Sequence, residues 1–180
     1  MILLLYFISN NNEYKKDYQI QTDGKCTPII QTKDNELCYS EYNNNKICFY
    51  DLFERKIISS IKDISKGNTN AREWFIMIKK DLLLIPGENQ ISIINTEQYN
   101  LVRKIEVQGS SWIYGVCMLN KNMILTGDQS KTIRQWKIEG DNLILVSKKE
   151  KAHDNQINVL LNIGNGFIAS GSDDNSIKIW

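Results

Sequence analysis

His153 is the one histidine in this chain of 180 residues, and imidazole is the side chain best suited to moving protons or binding metals near neutral pH. Both tasks need convergent partners, either further ligands or a substrate proton within hydrogen-bond reach. The residues around His153 offer no such set, so a structural hydrogen-bonding role is expected for it. Asp173 and Asp174 are adjacent carboxylates, the residue type that acid–base pairs use. Neighbours in a tight turn point apart, however, and turn formation is the expected role. Cys26, Cys38, Cys48 and Cys117 form no C-x-x-C pair, which argues against a disulfide framework or structural zinc and for small buried hydrophobes in a reducing compartment, the cytoplasm or nucleus. Lys148, Lys149 and Lys151 are expected in the connection leading to His153, interleaved with Glu150, and Lys79 and Lys80 in a hairpin turn. Phosphate backbones are usually held by longer basic stripes backed by aromatics. With 22 basic and 21 acidic residues the net charge is +1, too weak a field to steer nucleic acid or an acidic membrane. There is no glycine-rich phosphate loop or nucleophile elbow either. The chain reads as a protein without catalytic chemistry, metal or cofactor.

The elements that must position these residues recur. SGSDDNSIKIW ends on Trp180, TGDQSKTIRQW on Trp136, PGENQISII on Ile94 and SEYNNNKICFY on Tyr50, at steps of 44, 42 and 44 residues. One further step of 44 reaches Tyr6, inside the apolar run MILLLYF. A period of roughly 40 to 45 residues made of short strands marks a propeller blade. Within one unit, Trp112 to Met118 is apolar enough for a buried strand and Met123 to Thr126 follows a polar turn. Thr132 to Lys137 then alternates, and Leu143 to Ser147 closes the unit. WFIMI (74–78) reads as a buried inner strand, and KIISSIK (56–62) as an outer one. No unit has a helical period, so the fold is expected to be all-β. MILLLYFIS lacks a basic start and is far shorter than the roughly 20 residues that span a bilayer, so it is read as a strand of the repeat.

These residues resemble the WD-repeat (G-beta-like) β-propeller family. In that family a turn Asp holds a His, the His meets a hydroxyl on the second strand, and the hydroxyl meets the indole of a Trp on the third. The resemblance assigns this structural network to Asp174, His153, Ser170 and Trp180. The other units depart from it. The third keeps Trp136 and Thr126, but has Ser130 for the turn Asp and Gly109 near the His position. The first has Ser40, Asn44, Tyr50 and the following Asp51, with Asp23 in place of His. The second has Ile94 at the aromatic position and Pro86 in the second strand.

The implied organisation is a half-blade at 1–22 (third and fourth strands), blades at 23–65, 66–108 (degenerate) and 109–152, and three strands at 153–180. Such a chain is expected to form an open arc of about four blades, part of a larger ring, in preference to a tight four-bladed ring closed by YQIQT. Exposed strand edges at both ends predict self-association. By resemblance the function is a protein-interaction scaffold within a multiprotein assembly, its top face and rim holding other proteins or peptides, with membrane and nucleic acid as unexpected partners. The alternatives are an RNA-associated or ribosome-biogenesis propeller, or a substrate-recruiting appendage of a kinase or ubiquitin ligase. The carried-over partner-binding positions are Asn43, Gln129 and Asp173 in turns and Lys25, Trp112 and Gln156 at strand entries. Trp74 and Trp112 are otherwise expected in the core.

Overall fold

The computed structural model describes residues 2–8, 14–23, 26–41, 45–64 and 75–180. Every regular element among them is a β-strand. A two-stranded sheet of β1 (Ile2–Ile8) and β2 (Tyr14–Gln21) comes first. The first blade is β3 (Cys26–Lys33), β4 (Glu36–Glu41), β5 (Lys46–Asp51) and β6 (Lys56–Lys62). The second is β7 (Ile76–Met77), β8 (Leu82–Pro86), β9 (Gln90–Asn95) and β10 (Asn100–Glu106). The third is β11 (Ile113–Asn120), β12 (Met123–Asp128), β13 (Ile133–Glu139) and β14 (Asn142–Lys149). A three-stranded sheet of β15 (Ile157–Gly164), β16 (Phe167–Ser172) and β17 (Ile177–Ile179) ends the series. Each sheet is an antiparallel meander in chain order, and among the described residues no ladder joins one sheet to another. The molecule is an open arc of blades.

Period-two alternation explains why the blades stack face to face. On β8, Leu82 and Leu84 look toward the third blade, while Leu83 and Ile85 look toward the first; β9 divides Ile91 and Ile93 from Ile94 in the same way. Both faces of an inner strand are therefore covered, which is why it reads as a continuous apolar run. The core is a series of slabs between consecutive sheets. One holds Leu84, Ile93, Ile113, Ile124 and Trp136, another Phe49, Ile64, Leu83 and Ile94, and a third Leu125, Ile157 and Leu160. The outer strands β6, β10 and β14 are largely exposed. Strand β14 runs to Lys149, so Lys148 and Lys149 lie in the outer strand and not in the connection toward His153 that the sequence suggested. The second blade's first strand is only Ile76–Met77, shorter than WFIMI implied, and Trp74 lies outside the described residues.

Contact between the third blade and the last sheet is close because glycine stands at the meeting points. A Cβ on Gly127 would come within 2.6 Å of the Ile157 Cγ2, and one on Gly115 within 3.1 Å of the Leu160 and Val159 backbone. At the rim, Asp51 accepts the Phe53 and Glu54 amides at 2.8 and 2.7 Å. Asn95, one repeat later, does the same for Glu97 and Gln98 at 2.9 and 2.7 Å. Side chains of this kind mimic a backbone turn.

Candidate functional site

The last sheet brings His153, Ser170, Asp174 and Trp180 together. His153 precedes β15, Ser170 lies on β16, Asp174 in the following turn and Trp180 after β17. The Nδ1 of His153 is 2.8 Å from the Asp174 carboxylate and its Nε2 is 2.6 Å from Ser170 Oγ. The Trp180 indole N–H donates to Ser170 Oγ at 2.8 Å. A neutral imidazole protonated on Nδ1 satisfies every atom: Nδ1–H donates to the carboxylate, Ser170 O–H donates to Nε2, and the serine oxygen accepts the indole. Asp174 also accepts the Ser176 hydroxyl at 2.6 Å and the Asp154 amide at 2.9 Å. Hydrogen bonds, that of Ser176 foremost, hold its carboxyl well below the usual carboxylate range.

Serine, histidine and aspartate are the residue types of a nucleophilic triad. Here the serine is 0% exposed and the imidazole side chain 0% exposed, and the serine oxygen is already occupied by the indole. No carbonyl carbon can approach it. The arrangement ties the turn and the entry of the sheet to its centre. Asp173, beside Asp174, points the other way, accepting from Gln156 Nε2 at 2.8 Å and from the Asn158 amide. The two carboxylates do not act as a pair.

The third blade solves the same problem with other residues. Trp136 still donates to Thr126 Oγ1 at 2.9 Å. Gly109 stands near the His position and brings no side chain, and a guanidinium anchors the connection instead: Arg134 pairs with Asp128 and donates to the Gly109 carbonyl at 3.0 Å. Ser110 donates to the same Asp128 carboxylate at 2.8 Å. Both ions are almost fully enclosed, with side chains 4% and 1% exposed. Sequence reasoning passed over Asp128 and Arg134. The available signal was two opposite charges six residues apart, Asp128 closing an apolar strand and Arg134 near the start of the alternating strand that follows. The residue two before the third-strand aromatic position acts alike in three sheets, taking a carbonyl of the preceding connection. Ser92 holds Ile64 O at 2.8 Å, Arg134 holds Gly109 O, and Lys178 holds Ala152 O at 2.8 Å.

Of the carried-over partner-binding positions, Asn43 and Lys25 lie outside the described residues, as does Asn44 of the first unit. The remaining four lie at one end of the arc. Gln129 N bonds Trp112 O at 2.8 Å and Asp173 N bonds Gln156 O at 3.1 Å, so in each blade the turn is tied to the entry of the first strand. Gln129 and Asp173 are exposed, while Trp112 and Gln156 are half-buried. Trp112 is thus not a core residue; its backbone bridges to Glu88 of the second blade. The four cysteines are free thiols. Burial pushes Cys48 and Cys117 up to about 11, which disfavours thiolate chemistry. No group of three or more potential metal ligands occurs among the described residues.

Comparison with known proteins was made against this geometry. The family model described as WD domain, G-beta repeat, matches residues 146–180, the stretch holding the complete His153 network. No sequence match was found among curated proteins. In structure, the chain is similar to a chain of the crystal structure of a mitotic checkpoint complex, with a TM-score of 0.75 at 13% identity, covering 92% of this chain and 52% of that one. It is also similar to the WD40 beta propeller domain of Doa1, with a TM-score of 0.73 at 16% identity, covering 92% and 54%. The chain spans about half the length of these solved chains. Residues 146–180 are a G-beta WD repeat, and the chain that carries it resembles the WD-repeat family and has the fold of an open arc of a WD40 β-propeller.

Proposed function

We propose that this chain is a non-catalytic protein-interaction scaffold that holds a protein or peptide partner on the end of the arc formed by Trp112, Gln129, Gln156 and Asp173, in the cytoplasm or nucleus. The observation that carries this reading is the combination of an exposed polar end with a rigid backbone. Every turn there is bonded to the strand entry beside it, and the half-buried Trp112 offers an aromatic contact among amides and a carboxylate. Aromatic and amide side chains on a pre-organised backbone bind proteins with little ordering cost. The Ser–His–Asp set contributes by stiffening the last sheet, and the four free thiols are in keeping with a reducing compartment.

The test is affinity capture from cell extract with the full gene product, in wild-type form and with all four residues replaced by Ala. Loss of specific partners from the variant, at an unchanged unfolding midpoint, is the expected result. Capture of the same proteins in the same amounts by both forms removes this end of the arc as the binding surface.

A further inference from the structure

Beside that end, on the second blade, a cavity of about 270 Å³ is lined by Glu88, Asn89, Gln90, Glu106, Gln108 and Gly109, with Val107. The pleat brings the polar residues together. Gln90 and Glu106 are directly opposed in the β9–β10 ladder, so their side chains share a face; Glu88, bridged to Trp112, and Gln108, in the turn after β10, line the same cavity. Gln90 is only 4% exposed, and its amide orientation is fixed. Its Nε2 donates to the Ile64 carbonyl at 2.6 Å, a bond the amide oxygen cannot make. Oε1 is therefore turned away from Ile64, and it has no partner among the described residues. The carboxylates of Glu88 and Glu106 have none there either. Lys104, on the same face two residues before Glu106, is engaged by the Asp63 carbonyl at 2.7 Å.

The walls are held in place. Arg134 takes the Gly109 carbonyl from the core side. Val107 N bonds Asn89 O at 2.8 Å and Asn89 N bonds Ser111 O at 3.0 Å. The result is a preformed, one-side-chain-sized recess lined by two carboxylate residues and by the unpaired amide oxygen of Gln90. Acceptors in that number and charge call for a cationic multiple donor. Guanidinium, planar with five N–H groups, meets several divergent acceptors at once, whereas ammonium acts as a point charge.

We infer that this cavity receives one arginine side chain of a partner protein. The assignment rests on the reading of the arc as an interaction scaffold and adds to it a specificity element distinct from Trp112, Gln129, Gln156 and Asp173. Titration calorimetry of the full chain with the capped peptide Gly-Gly-Arg-Gly-Gly, and with citrulline or lysine in place of arginine, tests it. The arginine peptide binds, and the neutral citrulline isostere binds at least about tenfold more weakly. Glu88→Gln and Glu106→Gln each weaken arginine-peptide binding by about tenfold, and the double variant abolishes it without moving the unfolding midpoint. Equal binding of arginine and citrulline peptides, equal binding of the lysine peptide, or full binding to the double variant overturns the assignment. If arginine binding is absent while protein partners are still captured through the four-residue surface, this inference falls and the scaffold reading stands.

Discussion

The third blade and the last sheet carry the same Trp-to-hydroxyl bond, Trp136 to Thr126 and Trp180 to Ser170, at 2.9 and 2.8 Å. They then diverge in how the connection before the first strand is anchored. In the last sheet an imidazole comes from the connection itself and reaches inward to Ser170 and Asp174. In the third blade the connection contributes only Gly109, Ser110 and backbone, and Arg134 reaches outward from the third strand to meet it. What the two share is neither residue nor charge but a satisfied set of buried polar atoms. Such atoms are costly only when left unpaired. A repeat can therefore lose its signature residues and keep its shape, provided that some side chain of the right reach supplies the missing donors.

The comparison breaks first at Arg134. Arg134→Met strands the enclosed Asp128 carboxylate and should destabilise the chain by about 3–5 kcal/mol in urea unfolding. Replacing Asp128 by Leu in the same protein should recover much of that loss, because no lone charge then remains. If Arg134→Met alone costs less than about 1 kcal/mol, the guanidinium is not the anchor of the third blade.

His153→Ala should cost about 1–3 kcal/mol, since it strands the Ser170 hydroxyl and takes one donor from the Asp174 carboxylate, which keeps Ser176 and the Asp154 amide. The gap between this loss and that of Arg134→Met measures the difference between a carboxylate that keeps other donors and one that loses its counter-ion. An unchanged midpoint would show that Ser170 and Trp180 hold the sheet without the imidazole.

Gly127→Ala tests the contact between the two sheets rather than either network. The added carbon meets the Ile157 γ-methyl and Cβ at 2.6 and 3.2 Å, atoms next to the backbone, so the two sheets must part slightly. A loss of about 1–2 kcal/mol by thermal or urea unfolding is expected. No loss would mean the sheets separate without cost.

The smallest effect is the pH dependence of the last sheet. Asp174 is held below its ordinary value in the folded state, so the stability it confers is fully present above the unfolded carboxylate value of about 4 and is lost as pH falls below it. The stability difference between wild type and Asp174→Asn should be constant from pH 8 to about 5 and should shrink on further acidification. A difference that grows below pH 4 contradicts the assigned role.

Much of this was legible in the residues. The steps of 44, 42 and 44 residues between Tyr50, Ile94, Trp136 and Trp180 set the repeat. Their apolar runs and Asn- and Asp-rich turns determined the strands, because a pleated strand buried on both faces needs continuous apolar side chains and a hairpin needs left-handed residues. The quartet around His153 was legible for the same reason: its members sit at fixed offsets within one repeat, so register alone brings them together. Tertiary structure decided what offsets do not encode. Arg134 belongs to a pattern that reads as an ordinary exposed position of an alternating strand, and only the folded blade brings it onto Asp128 and the Gly109 carbonyl of the connection before the first strand. The half-burial of Trp112 likewise depends on the neighbouring blade, whose Glu88 bridges to it. Gln90 and Glu106 share a face because the β9–β10 ladder opposes them, and the Ile64 carbonyl of the preceding connection orients the Gln90 amide. Contacts that the repeat signature carries follow from spacing; the others depend on which polar groups each connection and interface leaves unpaired, and that is settled only when the strands and sheets pack.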